Sequence, residues 1–169
     1  MKKGFTEQIA YGGIVAALSV AVLFLSAIIP SGQFGFAAAA GCALVLVILH
    51  SGKKTAFLVF IAVSVLSLLL IPGKDTALVY VAFFGPYTFI KNYIERLGNL
   101  LWEWVIKLAF FNADITILYF AAKFVFKMPD ELGHTLALFF VIYNVTFVLY
   151  DIAFSRLISV ISFKLKKFI

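Results

Sequence analysis

Six apolar stretches separated by short polar connections follow one another along the chain. They run roughly over residues 8–29, 34–50, 55–71, 76–90, 107–126 and 135–161. Each is close to the ~17 to 25 residues with which a helix crosses ~30 Å of hydrocarbon, and the fourth can extend through Tyr93 into the headgroups. The pattern therefore predicts an all-α integral membrane bundle of six transmembrane helices, forming a single domain over residues 1–169.

Basic residues are distributed unevenly between the two ends of these spans. If the N-terminus lies inside, the outer side has only three of the 14 lysines and arginines, Lys74, Lys123 and Lys127. The inner side has the others: Lys2, Lys3, Lys53, Lys54, Lys91, Arg96, Lys107, Arg156, Lys164, Lys166 and Lys167. Because basic residues in short loops resist translocation, we expect a cell-membrane protein with both termini in the cytoplasm.

Composition agrees with a membrane protein, since 64% of the residues are hydrophobic and 13% are charged. In a soluble protein the net charge of +6 would suggest nucleic acid as a partner. Here the positive residues lie where they meet anionic inner-leaflet lipid, so we expect membrane lipids and no nucleic acid as partners.

The connection over residues 91–104 has an amphipathic pattern. Ile94, Leu97, Leu101 and Trp104 recur at helical spacing, with polar side chains between them. This pattern predicts a short amphipathic helix at the cytoplasmic interface, between the fourth and fifth spans. Its aromatic residues either form a membrane-interface belt or belong to a docking surface for a partner.

Motifs of soluble enzymes are missing from the sequence. It contains no glycine-rich phosphate loop, no CxxC pair, no HExxH and no GxSxG. His50 and His134 are expected near opposite membrane faces, and the single cysteine, Cys42, cannot form an internal disulfide. We therefore expect no enzymatic activity, no metal site and no cofactor.

Polar residues inside the last two spans are the main chemical signal, because a charge at the bilayer centre costs at least ~2.5 to 3.5 kcal/mol on insertion scales. Lys107 and Asp114 are seven residues apart, as are Asn144 and Asp151, so each pair spans two helical turns on one face. We expect a polar seam between the two helices, with Arg156 or Lys107 as the counter-ion. Hydrogen bonds that only hold the helices together are the alternative. The seam comprises Asn112, Asp114, Asn144, Asp151 and Arg156.

Groups that meet a substrate from outside are fewer. Tyr80, Tyr119 and Lys123 are the candidates, and the last two share a helical face. A lysine that snorkels beside a belt tyrosine explains them equally well. In the same fourth span as Tyr80, Gly85 and Pro86 predict a kink, because proline removes a backbone hydrogen bond.

Small residues in the first span repeat every four positions at Gly13, Ala17 and Ala21, with Gly12 and Ala16 beside them. A ridge of this kind lets another helix approach closely in lipid. The partner is either another helix of this chain or a different membrane protein.

Size, six spans, inner termini and this ridge together resemble the substrate-binding S components of energy-coupling factor transporters. The segment from Ala17 to Ala21 resembles the AxxxA motif through which that family meets its transmembrane coupling subunit. The resemblance implies uptake of a small micronutrient, driven by a shared ATPase module. The sparse polar groups at the outer end favour an apolar or amphiphilic solute.

Two further interpretations come from other functional classes. A lipid-binding or lipid-translocating protein would hold an anionic headgroup near the inner half of the fifth and sixth spans, through Lys91, Arg96, Lys107 and Arg156. A structural or regulatory subunit would have no ligand.

Overall fold

The computed structural model describes residues 4–120 and 136–167, and this part of the chain is helical throughout, with no strand. Helix α1 (Phe5–Phe24) continues into a 3-10 turn (Leu25–Ala27), and a second 3-10 turn (Pro30–Gly32) leads into α2 (Gln33–Ser51). After α3 (Lys53–Leu70) come α4 (Lys74–Val79), a π-helical segment (Tyr80–Phe84) and α5 (Gly85–Ile94), which follow one another without a gap. The remaining helices are α6 (Leu100–Phe120) and α7 (Leu136–Lys167).

Four helical segments are long and apolar enough to cross a membrane: Phe5–Ala27, Gln33–Ser51, Lys53–Leu70 and Phe140–Phe163. The fourth predicted span is divided into three pieces by the π-helical segment, and each piece is short. The fifth corresponds to α6, which is 21 residues long but contains Glu103, Lys107 and Asp114. These apolar helices are therefore compatible with a membrane protein, while six spans and their topology stay predictions.

The prediction of one amphipathic helix over residues 91–104 is wrong. Its first residues complete α5 and its last residues begin α6, with a turn between them. Gly98 has a φ of +67°, a left-handed conformation that favours glycine and interrupts the helix. The side chain of Asn99 then accepts a hydrogen bond from the backbone N–H of Leu101, at 3.1 Å, and so caps the start of α6.

The chain divides into two compact units, Met1–Asn92 and Tyr93–Ile169. The prediction of one domain over residues 1–169 is not tested by this division. In the first unit, α1 packs on both α2 and α3, and α2 also packs on α3, α4 and the π-helical segment. Gly52, with a φ of +88°, makes the tight connection between α2 and α3. The buried core of this unit includes Val15, Leu23, Leu44, Val63, Ile71 and Tyr87.

The π-helical segment lies where the sequence predicts a disturbance of the helix. The backbone N–H of Gly85 bonds to the carbonyl oxygen of Tyr80, five residues back instead of four. This wider turn comes directly before Pro86, whose ring would clash with the carbonyl four residues earlier in a regular α-helix. A Cβ atom on Gly85 would overlap the ring of Phe60, so a larger residue here would force that ring to move.

Close packing joins α2 to the π-helical segment at Gly41. A Cβ atom at this position would lie 2.8 Å from the carbonyl oxygen of Phe84, which is backbone and cannot rotate away. The hydroxyl of Thr88 donates to the carbonyl oxygen of Gly41 at 3.0 Å and also lies 3.1 Å from that of Phe84. Glycine therefore brings the two backbones together, and Thr88 links them.

Replacement of Gly41 by alanine should lower the stability of the first unit, because the added methyl group forces the two backbones apart. We expect a loss of roughly 1 to 3 kcal/mol, typical of overpacking, seen as a lower melting temperature of the purified protein in detergent. Gly35→Ala on the same helix is the matched control, since a Cβ atom there meets nothing within 4 Å. Equal melting temperatures for the two variants would contradict the close contact.

Candidate functional site

The second unit is built on α6 and α7, which pack against each other. Lys107 pairs with Asp151, Phe111 stacks on Phe147 with ring centroids 4.3 Å apart, and Asn112 bonds to Asn144. Residue numbers rise along α6 while those of their partners fall along α7, so the two helices are antiparallel. These polar and aromatic pairs define their register.

An ion pair is buried between the two helices. The Nζ atom of Lys107 lies 2.9 Å from Oδ2 of Asp151, and the two side chains are only 5% and 3% exposed. Nζ also lies 3.3 Å from Oε1 of Glu95, whose side chain is 37% exposed, and 5.4 Å from the centre of the Trp104 ring. Because each charge is desolvated, each depends on its partner.

A pair of amides lies beside this ion pair. Nδ2 of Asn112 donates to Oδ1 of Asn144 at 2.9 Å, and Nδ2 of Asn144 donates to Oδ1 of Asn112 at 3.0 Å. Each Nδ2 also donates to a carbonyl four residues earlier in its own helix, that of Leu108 or Phe140, both at 2.8 Å. Both amide groups are thus hydrogen-bonded within the seam.

Two residues predicted for the seam lie outside these pairs. Asp114 is partly buried, and its Oδ2 atom has no hydrogen-bond partner among the described residues. Arg156 is exposed on α7. The structure thus gives the role of counter-ion for Asp151 to Lys107. It brings together Lys107, Asn112, Asn144 and Asp151.

Glu95 was not predicted as part of this site. It precedes Gly98 and Asn99, and the turn that these residues form places Glu95 beside a lysine twelve positions later in the chain. The amphipathic pattern places Glu95 among the polar residues of a continuous helix, which conceals the pairing. A glycine and an asparagine directly before an apolar run are the signal that indicates the break.

These contacts bear on the lipid-binding alternative, which relies on four free cations. Lys107 is held by two carboxylates, and Lys91 is almost completely buried. Arg96 and Arg156 are exposed. Two of the four groups are therefore not at the surface of the chain.

The small residues of α1 fall on two faces. Gly13, Ala17 and Ala21 are exposed, and a Cβ atom on Gly13 would meet nothing within 4 Å. Gly12 and Ala16, by contrast, are buried within the first unit, and a Cβ atom on Gly12 would come 3.0 Å from the side chain of Val59. The small-residue ridge therefore faces away from the helices with which α1 packs.

The predicted outer substrate residues have different surroundings. Tyr80 is fully buried in the first unit, and its hydroxyl has no hydrogen-bond partner among the described residues. Tyr119 is half-buried in α6, with its ring 5.7 Å from that of Phe120. Lys123 lies outside the described residues.

A second cluster of polar residues lies in the first unit and was not predicted. The ring of His50 stacks on Tyr11 with centroids 3.9 Å apart, its Nδ1 lies 3.1 Å from Oγ of Ser51, and its Nε2 lies 3.9 Å from Oε1 of Glu7. These contacts join the beginning of α1 to the end of α2. Within residues 4–120 and 136–167, no three histidine, cysteine or acidic side chains are grouped closely enough to hold a metal ion.

Comparison of the chain with models of known protein families, with curated proteins and with solved structures gives no significant match. The resemblance to S components stays a prediction from the sequence.

The buried ion pair allows a quantitative test. Lys107→Met leaves the carboxylate of Asp151 buried without its partner, and we expect about 3 to 5 kcal/mol of lost stability, since breaking a buried pair strands a charge. Asp151→Leu should cost a similar amount. The double variant Lys107→Met/Asp151→Leu should recover most of the loss, because it buries no charge at all.

Thermal unfolding of the four proteins in one detergent measures this double-mutant cycle. Glu95→Gln is the matched control and should have a much smaller effect, since Glu95 is partly exposed to solvent. Strictly additive losses in the double variant would show that Lys107 and Asp151 do not depend on each other.

Proposed function

We propose that this protein is a six-span subunit of the cell membrane, with both termini in the cytoplasm, that captures a small solute for uptake. The solute is a small micronutrient or an apolar or amphiphilic molecule. A transmembrane coupling subunit with its ATPases supplies the energy, as in the S components that the sequence resembles.

Two of the six predicted spans, the fourth and the fifth, are less apolar than the others, and each has a feature that supports its crossing of the membrane. The segments from Lys74 to Ile94 follow one another without a gap, and 21 residues at 1.5 Å per residue extend about 31 Å, enough to cross the hydrocarbon. In α6, pairing with Asp151 offsets the positive charge of Lys107. A helix pair with matched charges is more compatible with lipid than either helix is alone.

The observation that carries the docking part of the proposal is the exposed ridge of Gly13, Ala17 and Ala21. Helices in lipid associate through close packing of small residues, because lipid chains offer no hydrophobic drive for association. The helices of the first unit pack against another side of α1 and leave this ridge uncovered. A coupling subunit would provide the missing partner helix.

Bulky residues on the ridge should prevent this docking. Ala17→Leu/Ala21→Leu should abolish copurification of the coupling subunit and its ATPases from a host that expresses them together, because leucine side chains keep the partner helix at a distance. Melting temperature should remain unchanged, since neither position packs inside the bundle.

Ala39→Leu is the matched control, since Ala39 is an exposed alanine of α2. It should leave recovery of the complex unchanged. If the double variant retains the complex at the level of the unmodified protein, the ridge is not the docking surface.

Tyr80 is the best-supported substrate contact, because a buried hydroxyl without a partner costs ~1 to 3 kcal/mol and a bound solute can offset that cost. It also begins the π-helical segment, and π-turns frequently occur at functional sites. We propose that its hydroxyl donates a hydrogen bond to an acceptor atom of the solute.

Tyr80→Phe should lower solute retention by roughly 3-fold to 10-fold, the value of one hydrogen bond, when the protein as isolated is examined by native mass spectrometry. The ligand-free variant should be at least as stable as the unmodified protein, because the change removes an unpaired buried group. Tyr87→Phe, at a buried tyrosine of α5, is the control. Equal retention by the two variants would remove Tyr80 from the site, and a protein that retains no small molecule would favour a ligand-free subunit.

A further inference from the structure

Helix α7 extends past the beginning of α6. The pairing of Lys107 with Asp151 places Leu100, the first residue of α6, level with Ile158 of α7. The remaining residues of α7, from Ser159 to Lys167, therefore continue for about 13 Å at 1.5 Å per residue beyond the point where α6 begins. All 32 residues of α7 extend about 48 Å, longer than the ~40 to 45 Å of a bilayer with its headgroups.

The same register indicates where the headgroups meet the helix pair. Trp102 lies five residues before Lys107, and Arg156 lies five residues after Asp151, so the two are level with each other. Trp102 is 60% exposed and Arg156 is also exposed. Tryptophan is enriched at the membrane interface, and arginine near a helix end extends its charged group towards it. In the proposed membrane placement, the level of Trp102 and Arg156 therefore lies near one interface, and the candidate span that ends at Phe163 reaches this region.

This end of α7 combines apolar and basic residues on one side. Arg156, Val160 and Phe163 follow the i, i+4, i+7 spacing of a single helix face. Val160 is 53% exposed and Phe163 is 73% exposed. The sequence adds three more positive charges in the last turns, at Lys164, Lys166 and Lys167. Exposed apolar side chains in a segment rich in basic residues are typical of a helix that contacts a lipid surface.

We propose that residues 156–167 form a binding surface for acidic phospholipids of the leaflet that receives this end of α7. The basic residues attract the lipid phosphates, while Val160 and Phe163 contact the upper part of the acyl chains. Basic residues near a membrane each strengthen attraction to acidic lipid about fivefold. The inference goes beyond solute capture and rests only on the membrane insertion in the proposed function.

Lipid titration of the purified full-length protein in detergent tests this surface, with phosphatidylglycerol and phosphatidylcholine as probes and bound lipid counted by native mass spectrometry. We expect phosphatidylglycerol to bind at least tenfold more tightly. Lys164→Gln/Lys166→Gln/Lys167→Gln should weaken that binding roughly 100-fold, from three losses of about fivefold each, and should leave phosphatidylcholine unaffected. The arginine variant Lys164→Arg/Lys166→Arg/Lys167→Arg should restore binding, because it keeps the charge.

Lys2→Gln/Lys3→Gln/Lys54→Gln is the matched control, since it removes the same charge elsewhere on the predicted inner side. Equal losses in the control and in the α7 variant would overturn the proposal in favour of a general charge effect. Equal affinity for the two lipids would also overturn it. An acidic protein would then be the better candidate partner for these basic residues. A protein that needs no detergent or membrane to stay in solution would instead refute the membrane placement in the proposed function.

Discussion

The buried ion pair between Lys107 and Asp151 is the interaction on which the second unit depends. A lone charge inside a membrane costs at least ~2.5 to 3.5 kcal/mol on insertion scales, so an unpaired Lys107 or Asp151 would oppose insertion of its own helix. Together they bring two opposite charges within hydrogen-bond distance in a site that excludes solvent. Glu95, in the turn before α6, lies 3.3 Å from the same ammonium group and so adds a second, more exposed carboxylate to this charge cluster.

Apolar helix faces in lipid can pair in several registers, because dispersion contacts differ little from one sliding position to the next. Polar pairs remove this ambiguity. The amides of Asn112 and Asn144 can form both of their mutual hydrogen bonds in only one alignment, and that alignment also brings Lys107 to Asp151. Two separate pairs that require the same register specify the α6 and α7 contact, and they determine how far α7 extends beyond its neighbour.

Helical periodicity correctly grouped Asn144 with Asp151, since residues seven apart in an α-helix share a face and both pair across the seam. It also grouped Asp114 with Lys107, although Asp114 lies outside these pairs. It was not sufficient to choose between Lys107 and Arg156 as counter-ion, because that choice depends on how α7 is rotated against α6. Glu95 escaped prediction for a different reason: a single left-handed residue, Gly98, ends the helix that the amphipathic pattern suggested. On α1, neighbouring positions are about 100° apart, so the sequence could not decide whether Gly12 or Gly13 faces the bundle.

Helix contacts in the second unit rely on polar pairs, whereas the first unit relies on small residues. These small residues have two different surroundings. At Gly41 the space beside the glycine is occupied, because the backbone of Phe84 lies against it and Thr88 donates a hydrogen bond across the contact. At Gly13 the space beside the glycine is empty, since a Cβ atom there would meet nothing within 4 Å. A helix gains dispersion contacts with lipid from large side chains and loses them where it carries glycine and alanine. Three small residues in one uncovered row thus give α1 less contact with lipid than leucines would, and a closely packed partner helix would compensate for that loss.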